Sequence, residues 1–133
     1  MLIVEDEYLS RRILMAHLAG CGRCELAVNG EEALRAVRLS HETGDRIDLV
    51  LLDIMLPTMD GLSTLKAIRA YELEHGVSGG ASAKIIMLTA LGNASAIMES
   101  VESQCEGYIT KPYTKLELME AISRLDFADG TPR

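Results

Sequence analysis

Five side chains in this sequence are of types that could do chemistry together, and each lies at the end of an apolar run. Glu5 and Asp6 follow Leu2-Ile3-Val4, Asp53 follows Leu49-Val50-Leu51-Leu52, Thr89 follows Ile85-Ile86-Met87-Leu88, and Lys111 follows Tyr108-Ile109-Thr110. If those runs are neighbouring strands, three carboxylates, a hydroxyl and an ammonium converge on one edge. Clustered carboxylates raise one another's pKa unless a cation offsets them. An all-oxygen donor set suits Mg2+, which takes one or two carboxylates, a backbone carbonyl and several waters. A carboxylate beside such an ion can attack phosphorus and form an acyl phosphate. Metal, lysine and hydroxyl would then neutralise the phosphoryl oxygens, so that positioning and electrostatics do the catalysis. Taken singly, each residue has a plainer use: Asp6 or Glu7 as a helix N-cap, Lys111 as a solvated charge, Thr89 as a strand end.

The elements that must position these groups are legible in the hydrophobic pattern. Strands read at Leu2–Val4, Glu25–Val28, Ile47–Leu52, Ile85–Leu88 and Gly107–Thr110, with helical patterns at about 7–20, 30–43, 61–75, 93–104 and 114–125. Residues 47–52 are nearly continuous apolar sequence, as in a central strand covered on both faces. In the first helix, Leu9, Ile13 and Ala16, with Met15 and Leu18, recur at three- and four-residue spacing, and Gly20 and Gly22 end it. Thr114 to Glu117 fits a capping box with Tyr113 and Leu118 as its staple, and Asn29 to Glu32 can cap the second helix in the same way. Five β-then-α repeats predict right-handed crossovers and an α/β domain, a doubly wound five-stranded parallel sheet with five helices. Ligands of such sheets bind beyond the carboxyl ends of the strands, where the five residues are predicted to lie. The Gly- and Ser-rich stretch from Glu72 to Lys84 reads as a solvated, flexible loop, and residues 127–133 as a tail after a domain spanning 1–126.

The motifs Leu2-Ile-Val-Glu-Asp-Glu7, Leu51-Leu-Asp-Ile-Met-Leu-Pro-Thr-Met-Asp-Gly61, Met87-Leu-Thr-Ala90 and Gly107-Tyr-Ile-Thr-Lys-Pro112 occur in this order on those strand ends. In them the sequence resembles the receiver domains of response regulators, the phosphoacceptor modules of two-component signalling, along essentially its whole length. The resemblance implies a flavodoxin-like (βα)5 fold, with Asp53 as the phosphorylated aspartate and Mg2+ as cofactor. Asp6 would ligate the metal directly, Glu5 would hold metal-bound water, and Met55 would lend its backbone carbonyl. Thr89 would be the switch hydroxyl, Tyr108 the aromatic whose rotamer follows it, and Lys111 the partner of a phosphoryl oxygen. Lys111–Pro112 would be a cis peptide, and Pro57 and Gly61 would shape the loop after Asp53. Implied partners are a sensor histidine kinase or histidine phosphotransfer protein, and a downstream protein on the face of the fourth helix, fifth strand and fifth helix. The same resemblance implies a cytoplasmic switch, monomeric or weakly dimeric on phosphorylation, that catalyses only its own phosphorylation and dephosphorylation and carries no output module in 133 residues.

Composition narrows the alternatives. A net charge of −7, an aromatic fraction of 4% and no Trp oppose direct binding to nucleic acid or an anionic membrane. No run approaches the roughly 18 apolar residues of a membrane span. Three Cys are too few for a disulfide framework, and Cys21-Gly-Arg-Cys24 sits between a helix end and a strand rather than opening a helix. His17, His41 and His75 share no ligand spacing, and the seven Met read as core filling. Glu99, Glu102, Glu106, Glu117 and Glu120 predict an acidic surface on the proposed partner face, while the scarcity of cations in the last helix opposes the dimer mode of winged-helix regulators. An aspartate-nucleophile phosphatase would need a second Asp where Met55 stands. A flavodoxin-like cofactor binder would need a phosphate cradle where Glu5-Asp6-Glu7 would repel one. A scaffold receiver that is never phosphorylated would not need the acidic pair, Thr89 and Lys111.

Met55 and Leu91, two residues beyond Asp53 and Thr89, are apolar at positions that influence hydrolysis in the family which the sequence resembles. Apolar side chains cannot orient an attacking water, which predicts a long-lived acyl phosphate. Placing Asn at 55 and a charged residue at 91 is expected to speed loss of label from phosphorylated Asp53 in a decay assay; an unchanged rate would contradict this.

Overall fold

The computed structural model describes residues 1–90 and 92–125; the expected tail at 127–133 and position 91 lie outside the described residues. Strands and helices alternate as β1 (Leu2–Val4), α1 (Tyr8–His17), β2 (Glu25–Ala27), α2 (Gly30–Thr43), β3 (Leu49–Asp53), α3 (Gly61–Glu74), β4 (Lys84–Ala90), α4 (Ala94–Glu102), β5 (Gly107–Lys111) and α5 (Lys115–Ser123). The strands form one parallel sheet in the order β2-β1-β3-β4-β5. The chain moves outward from β1 to β2, then crosses to β3 on the other side of β1. That reversal opens the crevice in which α/β sheets bind ligands.

Side-chain alternation along the strands divides the core into two layers. Leu2, Val4, Val50, Leu52, Ile85 and Met87 face α2, α3 and α4, where Ala33, Val37, Leu65, Ile68 and Ala96 meet them. Ile3, Leu49, Leu51, Ile86, Leu88 and Ile109 face α1 and α5 through Leu14, Leu18 and Leu118. Both faces of β3 are therefore covered, which is why its sequence shows no polar alternation.

Local signals explain most helix starts. Thr114 and Glu117 form the reciprocal capping box at α5, and Tyr113 packs against the layer that contains Leu118. Asn29 accepts from the Glu32 N–H at 2.8 Å, but the Glu32 carboxylate reaches back to the Val28 N–H at 3.0 Å rather than to residue 29. Asp60 caps α3 by accepting from the Ser63 N–H at 2.8 Å. In α1 the structure departs from the expected pattern. The helix stops at His17, and Leu14 and Leu18 supply its packing while Leu9 and Ile13 are exposed. Of two possible apolar stripes, only the one facing β1 and β3 has a partner among the described residues. Met15, Met55 and Met98 are also exposed, so the methionines are not uniformly core.

The segment from Glu72 to Lys84 is tied down at both ends, against its reading as a solvated loop. Glu72 is buried and its carboxylate accepts from the Ala83 N–H at 2.8 Å and from Arg69 at 2.7 Å. The same guanidinium donates to the carbonyls of Ala83 and Gln104 and to both oxygens of Glu106, which in turn accepts from the Ile85 N–H. One arginine thus joins α3, the entry to β4 and the turn into β5. Removing it would strand two carboxylates beside main-chain donors, a loss on the order of 3 kcal/mol for a buried pair. Arg69→Met is accordingly expected to lower the free energy of unfolding by about 3 kcal/mol in urea denaturation; a change below about 0.5 kcal/mol, as at ordinary surface sites, would contradict the clamp.

Candidate functional site

The carboxyl edge of the sheet gathers residues from β1, β3, β4 and β5. Parallel register sets their level: Val4 pairs with Leu52, Asp53 with Leu88, and Ala90 with Lys111. Glu5 is 1% exposed and Asp53 5%, whereas Asp6 faces solvent. Carboxylate oxygens from these three residues all lie within 4.8 Å of one another. The Asp53 carboxylate is held on both sides, its Oδ1 accepting from the Met55 N–H at 2.9 Å and its Oδ2 from Lys111 Nζ at 2.6 Å. Lys111 Nζ also lies 3.4 Å from both Glu5 oxygens.

Two buried carboxylates facing one ammonium leave negative charge without a full counterion, and ionisation responds. Burial pushes the Glu5 carboxyl up to about 8, and its hydrogen bond to Asp53 and the Asp53 charge push the same way against Lys111. Burial alone would lower the Lys111 ammonium, but the bond to Asp53 and the charges of Asp53 and Glu5 outweigh it and raise it. Burial, with the negative charges of Glu5 and Asp53, holds the Tyr113 hydroxyl up at about 12. A proton retained on a carboxyl between two others marks a place where a cation would be welcome. The donors are all oxygen, without thiolate or imidazole, and so fit a hard divalent cation.

The loop after Asp53 is shaped by backbone rather than side-chain chemistry. A Cβ on Gly61 would lie 2.2 Å from the Asp53 carbonyl oxygen and 2.6 Å from the Ile54 Cα, so only glycine lets α3 start beneath the end of β3. The Gly61 N–H donates to the Ile54 carbonyl at 2.9 Å, closing the loop. Pro57 precedes Thr58, which sits at φ 61°, and the Pro57 carbonyl accepts from the Met59 N–H. The N-terminus of α2 presses on the same loop, for a Cβ on Gly30 would meet Thr64 Oγ1 and the Met59 carbonyl.

Each residue singled out from the sequence can now be located. Glu5, Asp6, Asp53 and Lys111 come together. Met55, two residues after Asp53, has its side chain 70% exposed and turns its N–H to the Asp53 carboxylate. Thr89 is buried, and its hydroxyl donates to the Ala90 carbonyl at 3.4 Å, a long contact. Tyr108 is exposed on β5, three residues before Lys111, and the Lys111–Pro112 peptide is cis. Cys24 and Cys105 have thiols raised mainly by burial, and no described cysteine is in a disulfide. The expected acidic patch is thinner than its sequence: Glu99 pairs with Lys66, Glu106 with Arg69, and Glu117 caps α5. Two residues near the site were not legible as such. Tyr113 carried only a staple signal, and Arg11, which donates to the carbonyls of Glu5 and Asp6, carried none.

Comparison with known proteins agrees with this geometry. A sequence profile described as the response regulator receiver domain matches residues 1–123. The chain is 32% identical to the chemotaxis protein CheY of Halobacterium salinarum over 123 residues, 92% of each protein. It is 33% identical to hybrid signal transduction histidine kinase M of Dictyostelium discoideum over 96% of this chain but only 5% of the kinase, a small part of that relative's length. Among solved structures, the co-crystal of the Saccharomyces cerevisiae phosphotransfer protein Ypd1 with the receiver domain of Ssk1 superposes with a TM-score of 0.78 at 30% identity, covering 92% of this chain and 84% of that one. The receiver domain of sensor histidine kinase PA1611 from Pseudomonas aeruginosa, solved with a magnesium ion in its active site cleft, gives 0.74 at 30% identity, covering 92% and 93%. No helix among the described residues is long and apolar enough to cross a membrane. Profile, relatives and superposed sheets coincide over the span that builds the acidic edge, and the chain belongs to the response regulator receiver domain family, the phosphoacceptor switches of two-component signalling.

Proposed function

We propose that Asp53 accepts a phosphoryl group from the histidine of a sensor kinase or phosphotransfer protein, with Mg2+ held by Glu5, Asp6, Asp53 and the Met55 carbonyl. The observation that carries this reading is the Asp53 carboxylate, fixed between the Met55 N–H and the Lys111 ammonium and within 4.8 Å of Glu5 and Asp6 oxygens. An Asp53 oxygen attacks phosphorus, the donor's phosphorus–nitrogen bond breaks, and the imidazole departs with that electron pair. Bound Mg2+ supplies positive charge against the carboxylates and the phosphoryl oxygens. Lys111 exchanges its carboxylate partner for a phosphoryl oxygen, and Glu5 releases its proton to solvent as the cation binds. Beyond its own phosphorylation and dephosphorylation the domain turns over no substrate.

The donor's approach is favoured by what surrounds the site. Tyr8, Leu9 and Ile13 are exposed on α1, and Ile13 borders a groove of about 350 Å³ completed by Ser10, Leu14, Lys111, Pro112 and Tyr113. The apolar stripe of α1 without a partner among the described residues therefore flanks the reactive edge. On the output side, Thr89 has only a long bond to lose and is free to donate to a new oxygen, and Tyr108 follows on β5. The equilibrium between two arrangements of the α4-β5-α5 face then shifts with modification. Met98, Val101 and Tyr108 are exposed there, so apolar contact as well as charge would recognise the downstream protein.

Incubation with Mg2+ and acetyl phosphate or beryllofluoride tests the assignment. The wild-type chain is expected to gain one phosphoryl mass with acetyl phosphate and to shift its Tyr108 resonances with either reagent, and Asp53→Ala to do neither. Labelling of Asp53→Ala equal to wild type would move the acceptor elsewhere.

Ionisation supplies a second test. Glu5 titrates near 8 in the folded, metal-free chain against an ordinary 4.5. Between those values the folded state holds a proton that the unfolded state has released, so this contribution is full below about 4.5 and is lost as pH rises through 8. In chelator, the urea midpoint is expected to fall between about pH 5 and pH 8, and Asp53→Asn to flatten that fall. Mg2+ is expected to stabilise more at pH 8, where it need not displace the proton. A metal-free midpoint that rises with pH over this window would refute the assignment of the proton to Glu5.

A further inference from the structure

The turn that delivers Glu5 and Asp6 is only three residues long, and the helix after it starts without help from its cap. Glu7 occupies the N-cap of α1 but makes no side-chain capping bond, and the first turn carries no acidic residue. What ties the turn to the helix is Arg11. Its Nη1 donates to the Glu5 carbonyl at 3.1 Å and to the Asp6 carbonyl at 2.9 Å, so a single nitrogen holds two successive peptide planes. On the other side, the Glu5 N–H donates to the Ala27 carbonyl at 3.1 Å. The Asp6 side chain is exposed, and the orientation of its peptide decides where its carboxylate points.

We infer that Arg11 is a positioning residue for the cation site, presetting the Glu5 and Asp6 carboxylates by clamping the carbonyls of the turn between β1 and α1. This rests on the reading that those carboxylates hold Mg2+. Hydrogen bonds from a charged donor are stronger than neutral ones, and ligand carboxylates must be held within a fraction of an ångström to bind a small ion well. Without the clamp both peptide planes can rotate, and ordering them falls to the metal. Groups that orient ligands without touching the ion typically change affinity 10- to 100-fold.

The sequence contains its own control. Arg12 is the next residue on the same helix, and its guanidinium stands 5.9 Å from the Tyr8 ring centroid, as Arg11 stands 5.8 Å from it. The side-chain hydrogen bonds to the turn carbonyls come from Arg11. Arg11→Gln and Arg12→Gln therefore remove the same charge from the same helical turn, beside the same ring, and only the first removes the clamp.

Calorimetric titration of Mg2+ into the wild type and both variants decides the matter, with unfolding midpoints measured alongside. Arg11→Gln is expected to bind Mg2+ about 10-fold more weakly, Arg12→Gln within about twofold of wild type, and both to keep their unfolding midpoints in chelator. Equal weakening in both variants would mean a charge effect and overturn the inference, as would an unshifted Arg11→Gln. A wild-type chain without saturable Mg2+ binding would overturn the metal reading and this inference with it, so the two failures are distinct. Should Arg11→Gln lose its fold, Arg11→Lys takes its place under the same criterion, because an ammonium on a stem one atom shorter keeps the charge but falls short of the carbonyls that Nη1 reaches.

Discussion

Negative charge buried around one ammonium is the constraint on which this structure turns. Glu5 and Asp53 lie almost wholly inside the protein, and Lys111 reaches both from the far side of the sheet. These partners are 58 and 106 residues away in sequence, so nothing local brings them together. They meet because β3, β4 and β5 are parallel and in a register that brings their carboxyl ends within two residues of one level. A slip of one residue in β5 would turn Lys111 to the opposite face and leave the carboxylates without a counterion. The charge itself therefore opposes misregistration. It also keeps the site one cation short, which is the property a phosphoacceptor needs before its metal and phosphoryl group arrive.

The two-layer core is the scaffold that makes this imbalance tolerable. Alternate residues of β1, β3 and β4 point into layers covered by helices from opposite sides, and few of these side chains are more than marginally exposed. The free energy lost in desolvating two carboxylates is offset by apolar burial of this extent, at roughly 25 cal/mol per Å². The fully buried strands β1 and β3 leave a response to a ligand to the loops beyond them and to the partly exposed edge strand β5.

Much of this was readable in the sequence, because strands buried on both faces and residues at their ends leave plain one-dimensional marks. The runs before Asp53 and Thr89 and the capping box at Thr114 are local patterns, and they fall where the elements form. What escaped was non-local. Leu9 and Ile13 have the same spacing as core residues, and only the position of α1 on the sheet decides that Leu14 and Leu18 face inward. Glu72 and Glu106 look like solvent-facing acids until Arg69 folds between them, 3 and 37 residues away. Arg11 is one of two adjacent arginines with nothing in the sequence to tell them apart. Side chains that act on the main chain of another element leave no periodicity to read.

The clamp at Arg69 has a mechanical meaning. It fastens the entry of β5, beside Tyr108, while Lys111 lies at the exit of the same strand. A strand held at one end and pulled at the other pivots and does not slide. Were Lys111 to change partner as proposed, any displacement would be a tilt about a fixed fulcrum, growing with distance from Arg69. The residues that travel furthest are those nearest the acidic edge, and the clamped end stays tied to α3 through Arg69.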